Sequence, residues 1–371
     1  MANIAIYVHW PYCARICPYC DFNVYKQRRD DGLVDAICQD ITEQAQRLGP
    51  RTLTSIHFGG GTPSLLEVKS IEQIIRVASQ HYEIGPDCEI AIEANPQDAD
   101  AARWKAYAKA GINRLSLGVQ RFHDPALTLL GRDHSGVQAQ EALSMAVSTF
   151  PSVSLDLIFG WSGQSETLLQ QDLDIALSSG AQHISAYQLT IENSTAFAKA
   201  EARGDIKSVS SDTSADFYEL IQKRLMSEGF DHYEVSNFAK PSHRSRHNLT
   251  YWQGGDYIGA GPGAHGRLTL NGTRYATIAS MRPEDYKKTA LQEKIVLTPT
   301  EWAEEYLLMG LRIEEGISLS RFEEIGGHIL NQDMIENFVS DKLMTYENDR
   351  LKVTASGRLV LNRITEKLLV G

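Results

Sequence analysis

Residues 7–22 read Tyr7-Val8-His9-Trp10-Pro11-Tyr12-Cys13-Ala14-Arg15-Ile16-Cys17-Pro18-Tyr19-Cys20-Asp21-Phe22 and follow directly on an apolar run that begins at Ile4. Three of the chain's five cysteines stand here with the spacing C-x₃-C-x₂-C. A closed zinc site normally has four ligands, and a disulfide framework needs an even number of cysteines. A [4Fe–4S] cluster normally takes four thiolates, so a loop that supplies three leaves one iron open. A partial zinc site is the plain alternative.

This cysteine motif resembles the signature of radical S-adenosylmethionine (SAM) proteins. In that superfamily the open iron binds the amino and carboxylate groups of the methionine, and the reduced cluster splits the sulfonium to give a 5′-deoxyadenosyl radical. The resemblance implies that Cys13, Cys17 and Cys20 bind a [4Fe–4S] cluster. Cys38 and Cys88 are expected to be ordinary buried thiols.

Two flanking patterns narrow the resemblance. Tyr7-x-His9-x-Pro11-x-Cys13 and Cys20-Asp21-Phe22-Asn23 are similar to the oxygen-independent coproporphyrinogen III oxidase family and, within it, to a branch of haem chaperones. The oxidases carry a further cysteine two places after the third, where this chain has Phe22. They also carry an extra N-terminal segment, whereas this sequence starts at its first predicted strand.

The composition is that of an acidic chain with enough hydrophobic residues to form a full core. It has 371 residues, of which 42% are hydrophobic, and a formal net charge of −11. Broad affinity for nucleic acid is therefore not expected. No apolar run reaches the roughly 18 residues of a membrane span, and no signal-peptide pattern precedes the first strand. We expect a cytoplasmic protein, because cluster thiolates need a reducing compartment.

Short apolar runs alternate with amphipathic segments up to about residue 230, a rhythm that predicts an α/β fold with a parallel sheet. The predicted strands are Ile4–His9, Ser55–Phe58, Glu89–Glu93, Arg114–Gly118, Ser154–Phe159 and His183–Leu189. The predicted helices are Leu33–Arg47, Leu66–Ser79, Asp100–Ala110, Gln138–Thr149 and Glu166–Ser178. Six units suggest a partial (β/α)₆ barrel, which the family resemblance also implies. A complete eight-unit barrel is the alternative, because Tyr233–Val235 could add a strand.

The pattern changes in the last third of the chain. We predict a barrel over residues 1–230, a connecting region over 231–297 and a smaller, mainly helical C-terminal domain over 298–371. In that domain, predicted helices precede a hairpin at Met344–Val353, an order that resembles a winged helix and the C-terminal domain of the coproporphyrinogen oxidases. From Thr300 onward there are 13 acidic and 8 basic residues. DNA binding by phosphate neutralisation is therefore not expected, and we interpret the shape as simple packing.

Candidate SAM residues stand near the carboxyl ends of the predicted strands, where parallel α/β folds place their sites. The family resemblance assigns eight of them to SAM: Tyr7, Gly60, Gly61, Thr62, Glu93, Gln120, Arg132 and Asp156. The glycines would let backbone amides approach the ligand closely, although a tight turn would use them too.

The charged members of this set have chemistry that suits SAM. Glu93 could accept a hydrogen bond from a ribose hydroxyl or an ammonium group, or it could be a solvated loop acid. Arg132 could pair with the methionine carboxylate. Asp156 interrupts an apolar strand, and a carboxylate there is costly unless it is paired, which favours a functional position.

A second motif, Arg246-His247-Asn248-Leu249-Thr250-Tyr251-Trp252, closely resembles the haem-chaperone branch. An imidazole can ligate haem iron, and aromatic rings offer flat apolar surface to a porphyrin. We expect haem contact through His247, Tyr251 and Trp252, with His243 and His265 as competing iron ligands. A core histidine beside packed aromatics is the plain alternative.

Three functions compete on this sequence. The first is a haem chaperone that keeps a radical-SAM site, and it is the one favoured by Phe22 and the His247 motif. The second is an anaerobic coproporphyrinogen dehydrogenase, whose activity we do not expect. The third is a radical-SAM enzyme acting on an unrelated substrate. The resemblance implies a [4Fe–4S] cluster, SAM and haem as bound groups. It also implies haem-acceptor proteins and an electron donor as partners, and it allows peripheral membrane association through a partner.

Overall fold

A computed structural model describes residues 1–26, 32–326 and 330–369. The first part of the chain, which holds the cysteine loop and most of the βα units, contains these elements: β1 (Asn3–Trp10), β2 (Tyr12–Cys13), β3 (Tyr25–Lys26), α1 (Leu33–Leu48), β4 (Thr52–Gly60), α2 (Val68–His81), β5 (Glu83–Ala94), α3 (Ala101–Lys109), β6 (Arg114–Gln120), α4 (Asp124–Leu129), α5 (Gly136–Thr149), β7 (Ser152–Phe159), α6 (Glu166–Ser178) and β8 (His183–Gln188). Short 3₁₀ helices at Pro63–Leu65 and Pro96–Asp98 follow β4 and β5.

The middle part of the chain contains these elements: α7 (Ala196–Ala202), α8 (Ser211–Ser227), β9 (Asp231–Glu234), β10 (Asn237–Ala239), α9 (Arg246–Trp252), β11 (Tyr257–Ala260), β12 (His265–Leu270), β13 (Thr273–Ala279), α10 (Pro283–Tyr286) and β14 (Leu291–Val296). The last part contains these: α11 (Pro299–Gly310), β15 (Ile317–Ser318), α12 (Leu319–Gly326), α13 (Gln332–Ser340), β16 (Met344–Glu347), β17 (Arg350–Val353), α14 (Ala355–Arg358) and α15 (Leu361–Leu369).

The predicted partial barrel is confirmed. β1, β4, β5, β6, β7 and β8 lie side by side in that order, and every neighbouring pair is parallel. Their carboxyl ends therefore meet at one edge, which is where parallel α/β folds place their sites. The register aligns Glu93 with Ser116 and Asp156 with Ser185 across neighbouring strands. Residues that lie far apart in sequence are thereby brought to one face.

The complete eight-unit barrel is wrong. In the described residues the sheet has twelve strands and ends at β9 on one side and at β14 on the other. β9, which contains Tyr233 and Glu234 of the predicted segment, runs antiparallel to β10 and forms one further antiparallel bridge, from Glu234 to Ile313. At the opposite side, β11 extends the sheet in parallel with β1, and β12, β13 and β14 follow as antiparallel strands.

Glycines at two turns allow the strands β11, β12 and β13 to extend the sheet beyond β1. Asn271 and Gly272 both have positive φ, 49° and 78°, as a two-residue Asn-Gly turn in the β12–β13 hairpin requires. Gly261 has a φ of 111°, and a Cβ atom there would lie 2.2 Å from the carbonyl oxygen of His9. Only glycine allows β11 to turn this closely over the end of β1.

The hydrophobic core of the described residues divides into a large cluster, a smaller C-terminal cluster and a third one formed by Leu130, Ile158 and Phe197. The large cluster lies under the twelve-stranded sheet and its helices, with Trp104 and Phe58 fully buried. The C-terminal cluster gathers residues 303–368 around Phe322 and Leu351. The order α11–β15–α12–α13–β16–β17, with the three strands in one sheet, is that of a winged helix. The described chain ends in the two short helices α14 and α15, and the domain boundaries at 230/231 and 297/298 stay predictions.

Within the described residues, no helix combines the length and apolar character needed to cross a membrane.

Candidate functional site

A cavity of about 420 Å³ lies at the carboxyl edge of the parallel strands, against the cysteine loop. It collects all three clustered cysteines and seven of the eight predicted SAM residues. The predicted residues that line it are Cys13, Cys17, Cys20, Gly60, Gly61, Thr62, Glu93, Gln120, Arg132 and Asp156. Tyr7 does not line it. Residues that lie in or just after five different parallel strands therefore line one cavity, as the sequence predicted.

Glycines let the cysteine loop sit directly on the strand ends. A Cβ atom at Gly61 would lie 2.7 Å from the Tyr12 carbonyl oxygen and 3.0 Å from Cys13 Sγ. Gly131, with a φ of 68°, would place a Cβ atom 2.5 Å from Pro18 Cδ. Side chains at either position would push the cysteine loop away from the sheet. The glycine run therefore serves a close approach as well as a turn.

Arg132 ties the cysteine loop to the strand ends. Its Nη1 donates to Cys17 Sγ at 3.3 Å and to the Tyr19 hydroxyl at 3.4 Å. Its Nη2 donates to Asn95 Oδ1 at 2.5 Å and to the Gly118 carbonyl oxygen at 2.9 Å. Both terminal nitrogens thus bond protein groups, whereas Nε–H has no partner among the described residues, so a ligand carboxylate would accept from Nε or replace one of these bonds.

The three thiols share one cavity, as the ligands of an iron–sulfur cluster would. Cys13, Cys17 and Cys20 are all free of disulfides. Across the part of the chain that the structure describes, no three His, Cys, Asp or Glu side chains converge closely enough to hold a single ion. A four-iron cluster binds each thiolate through a different iron, so it needs thiols that share a cavity rather than a point. Burial raises the pKa of Cys13 to about 11, and a hydrogen bond from Thr62 opposes that shift.

Two carboxylates face the cavity from neighbouring parts of the sheet. Glu93 Oε1 lies 2.9 Å from His57 Nε2, and its other oxygen accepts from the Gly60 amide at 3.3 Å. Asp156 accepts from the Ser116 hydroxyl at 3.2 Å and also bonds Ser185. Burial raises the pKa of Asp156 to about 6 against the effect of these hydroxyls. Asp156 is paired, as expected, but with hydroxyls and not with a cation.

Gln120 ends β6 in an unusual backbone conformation. Its φ is 65°, and the β6–β7 register shifts between Leu117 and Gln120. A glutamine in the left-handed backbone conformation raises the free energy of the folded state unless its surroundings hold it there. Backbone strain of this kind is concentrated at functional sites. The bulge turns Gln120 into the cavity, where it lies among the other lining residues.

A second, more open groove of about 480 Å³ adjoins the cysteine loop. Most of its wall is aromatic or thioether side chain: Tyr7, Phe22, Tyr251, Trp252, Tyr257, Met281 and Met309. Phe22 is 63% exposed and lines both the groove and the cysteine cavity. The two predicted haem-contact aromatics therefore face a groove that begins where the cluster loop ends.

The structure places His247 behind the groove, and its ligation of haem iron stays a prediction. His247 is 1% exposed and does not line the groove. Its Nδ1 is hydrogen-bonded to Ser55 Oγ at 2.8 Å, and its Nε2 to the Tyr251 hydroxyl. Its ring stacks on His57 with centroids 4.8 Å apart. Both nitrogens are hydrogen-bonded, so His247 could ligate iron only if one of these bonds were broken.

Glu89 fixes the short helix α9 that carries this motif. Its carboxylate accepts from the backbone amides of Arg246 and His247, each at 3.1 Å, and from the Ser245 hydroxyl at 3.3 Å. It also pairs with Arg114 at 3.4 Å, and the two side chains are only 7% and 4% exposed. A buried acid on β5 therefore closes the amino end of α9, where a negative charge is favourable.

Several residues that line or support the two cavities were not singled out from the sequence. Asn95 bridges Arg132 and Thr62. His57 pairs with Glu93, and Glu89 anchors α9. Each of these residues lies in a segment with the sequence of an ordinary strand or loop. Their roles follow from contacts with residues far away in the sequence.

Comparison with known proteins gives a consistent set of similarities. Residues 7–175 match the radical SAM superfamily, and residues 297–360 match the HemN C-terminal domain. The chain is 34% identical to heme chaperone HemW of Mycobacterium tuberculosis, covering 98% of this chain and 94% of that one. It is 33% identical to heme chaperone HemW of Lactococcus lactis, covering 98% and 97%. It is 34% identical to radical S-adenosyl methionine domain-containing protein 1, mitochondrial, of Bos taurus, covering 98% and 87%.

One solved structure shares the whole architecture. Coproporphyrinogen III oxidase (HemN) from Escherichia coli, described as a radical SAM enzyme, superposes with a TM-score of 0.81. The alignment covers 100% of this chain and 90% of that one at 22% identity, a level that speaks for the fold alone.

Proposed function

The chain belongs to the radical SAM superfamily and, within it, to the HemW family of haem chaperones, and from this membership we propose that it binds haem and delivers it to acceptor proteins. Its partners would be haem, those acceptors and an electron donor for the cluster. We place it in the cytoplasm, because cluster thiolates require a reducing compartment.

The observation that carries this proposal is the aromatic groove beside the cysteine cavity. Tyr251 and Trp252 offer flat apolar area to a porphyrin face, and burial of such rings is a strong source of binding free energy. Phe22, where the related oxidases carry a further cysteine, is an exposed ring shared by groove and cavity. An apolar ring at that place suits a bound porphyrin and supplies no additional thiol.

We assign the cysteine cavity to a [4Fe–4S] cluster and SAM. Cys13, Cys17 and Cys20 would hold the cluster, which when reduced supplies an electron for cleavage of the SAM sulfonium. Gly60, Gly61 and Thr62 would present close backbone to the methionine end of SAM. Glu93, Gln120 and Asp156 would accept from its amino and ribose groups. Arg132 would hold the cysteine loop. Tyr7 lines the groove and stacks on His57, so it would support the SAM site through His57 and Glu93.

Asp156 provides a test of the SAM assignment through its raised pKa. Because its folded pKa is about 6 rather than near 4, the carboxylate carries its full charge only above that pH. SAM affinity of the reconstituted chain should therefore weaken as the pH falls from about 7.5 to about 5.5, and Asp156→Asn should remove that pH dependence. SAM binding can be followed by its effect on the EPR spectrum of the reduced cluster.

The exposed Asp285 is a suitable control, because Asp285→Ala should leave both affinity and pH dependence unchanged. Iron content should stay the same in all three proteins. If SAM affinity in the parent were level across this pH range, Asp156 would not contact SAM.

The second candidate is a coproporphyrinogen dehydrogenase, and the fold shared with the E. coli enzyme is the observation in its favour. The two functions predict opposite results when the reconstituted chain is offered haem and coproporphyrinogen III in separate assays. A chaperone binds the first and leaves the second unconverted.

A further inference from the structure

The groove contains a side chain better placed to ligate iron than the motif histidine. Of the two histidines that line it, His9 is 6% exposed and bonds the Tyr7 hydroxyl through Nδ1 and the Asn23 carbonyl oxygen through Nε2. His265 is exposed, and its ring makes no hydrogen bond to any residue that the structure describes. Ligation of haem iron needs a free imidazole nitrogen, and His265 has one available at the groove wall.

Strand pairing and a tight glycine turn hold the backbone at His265. His265 is the first residue of β12 and pairs with Ile278 of β13. Gly263, just before it, has a φ of 78° and would place a Cβ atom 2.5 Å from Asn23 Nδ2. A ligand on a strand between tight glycine turns loses little conformational freedom when it binds.

Asn23 connects this wall of the groove to the cysteine loop. Its Nδ2 donates to the Pro262 carbonyl oxygen at 2.9 Å and to the Met281 carbonyl oxygen at 2.8 Å. The neighbouring Phe22 lines the groove, as do the thioethers of Met281 and Met309. The wall thus joins one open imidazole and two thioethers, both known axial ligands of haem iron, with the aromatic rings of α9.

We propose that haem lies in this groove against Tyr251 and Trp252 and that His265 is its axial iron ligand. The assignment rests on the proposed haem-binding function and adds the ligand and the position of the porphyrin. His247 then acts only by holding the Tyr251 hydroxyl, and it is a positioning residue.

The test is a haem titration of the full chain, followed by absorbance and EPR spectra of the bound haem. The parent should show the bands of histidine-ligated haem, and His265→Gly should lose them. Added imidazole should restore those bands in His265→Gly, because it can enter the space of the missing ring. His243→Ala is the matched control, since His243 bonds Ser152 away from the groove, and it should keep the parent spectrum. His247→Ala should also keep the histidine-ligated bands, even if it binds haem more weakly.

The outcomes separate the ligand from the function. If the parent binds no haem, the proposed function fails and the ligand assignment fails with it. If the parent binds haem and His265→Gly has the same spectrum, or if His247→Ala alone loses the histidine bands, only the assignment of His265 is overturned.

Discussion

Replacing Cys17 with alanine is expected to abolish the iron–sulfur cluster. Three thiolates are the minimum anchor for a cluster that leaves one iron open, so anaerobic reconstitution should give about four irons per chain in the parent and close to none in the variant. Cys17 is a better choice than the buried Cys13, because it is only half-buried and its replacement disturbs less packing. Iron and sulfide analysis after removal of unbound metal measures the effect.

Cys38 supplies the matched control for this experiment. It is a buried thiol of α1 and does not line the cysteine cavity. Cys38→Ala should therefore bind as much iron as the parent does. Equal iron loss in the two variants would show that the cavity is not the cluster site.

Replacing Glu89 with alanine is expected to produce the second large effect. The change leaves the buried Arg114 guanidinium without its carboxylate and removes the acceptor at the start of α9. Breaking a buried pair by removing one partner typically lowers the free energy of unfolding by about 3–5 kcal/mol. Because α9 carries Tyr251 and Trp252, haem affinity should fall as well, and denaturant unfolding with haem titration would measure both.

Asp87 provides a control for Glu89 on the same strand. It lies 3.7 Å from the guanidinium of Arg246, but the two side chains are 71% and 51% exposed. An exposed pair of this kind contributes at most about 1 kcal/mol, so Asp87→Ala should change stability little. Similar losses in both variants would contradict the role of Glu89 as the anchor of α9.

The sequence predicted those parts of the fold and site that depend on local pattern. The six parallel strands follow from short apolar runs between amphipathic segments, and the structure has all six. The cysteine spacing and the Gly60-Gly61-Thr62 stretch identified six of the residues that line the first cavity, because each stretch lies at or just after the carboxyl end of a strand.

Long-range contacts account for what the sequence could not predict. The motif around His247 suggested an iron ligand. Its sequence does not show that Ser55 and Tyr251 form hydrogen bonds with the two ring nitrogens. The segment that forms β11 is not among the predicted strands, and the glycine within it lowers strand propensity. Pairing with β1, more than 240 residues earlier, makes it a strand.

The most direct test of the haem-chaperone account is to compare haem binding with porphyrinogen turnover in one preparation. The full chain, reconstituted anaerobically with iron and sulfide, is titrated with haem and separately incubated with coproporphyrinogen III, SAM and a reductant. The account predicts a shifted Soret band with haem and no release of CO₂ from coproporphyrinogen. Release of CO₂ over several turnovers per chain, with vinyl groups formed on the product, would contradict it and establish a dehydrogenase.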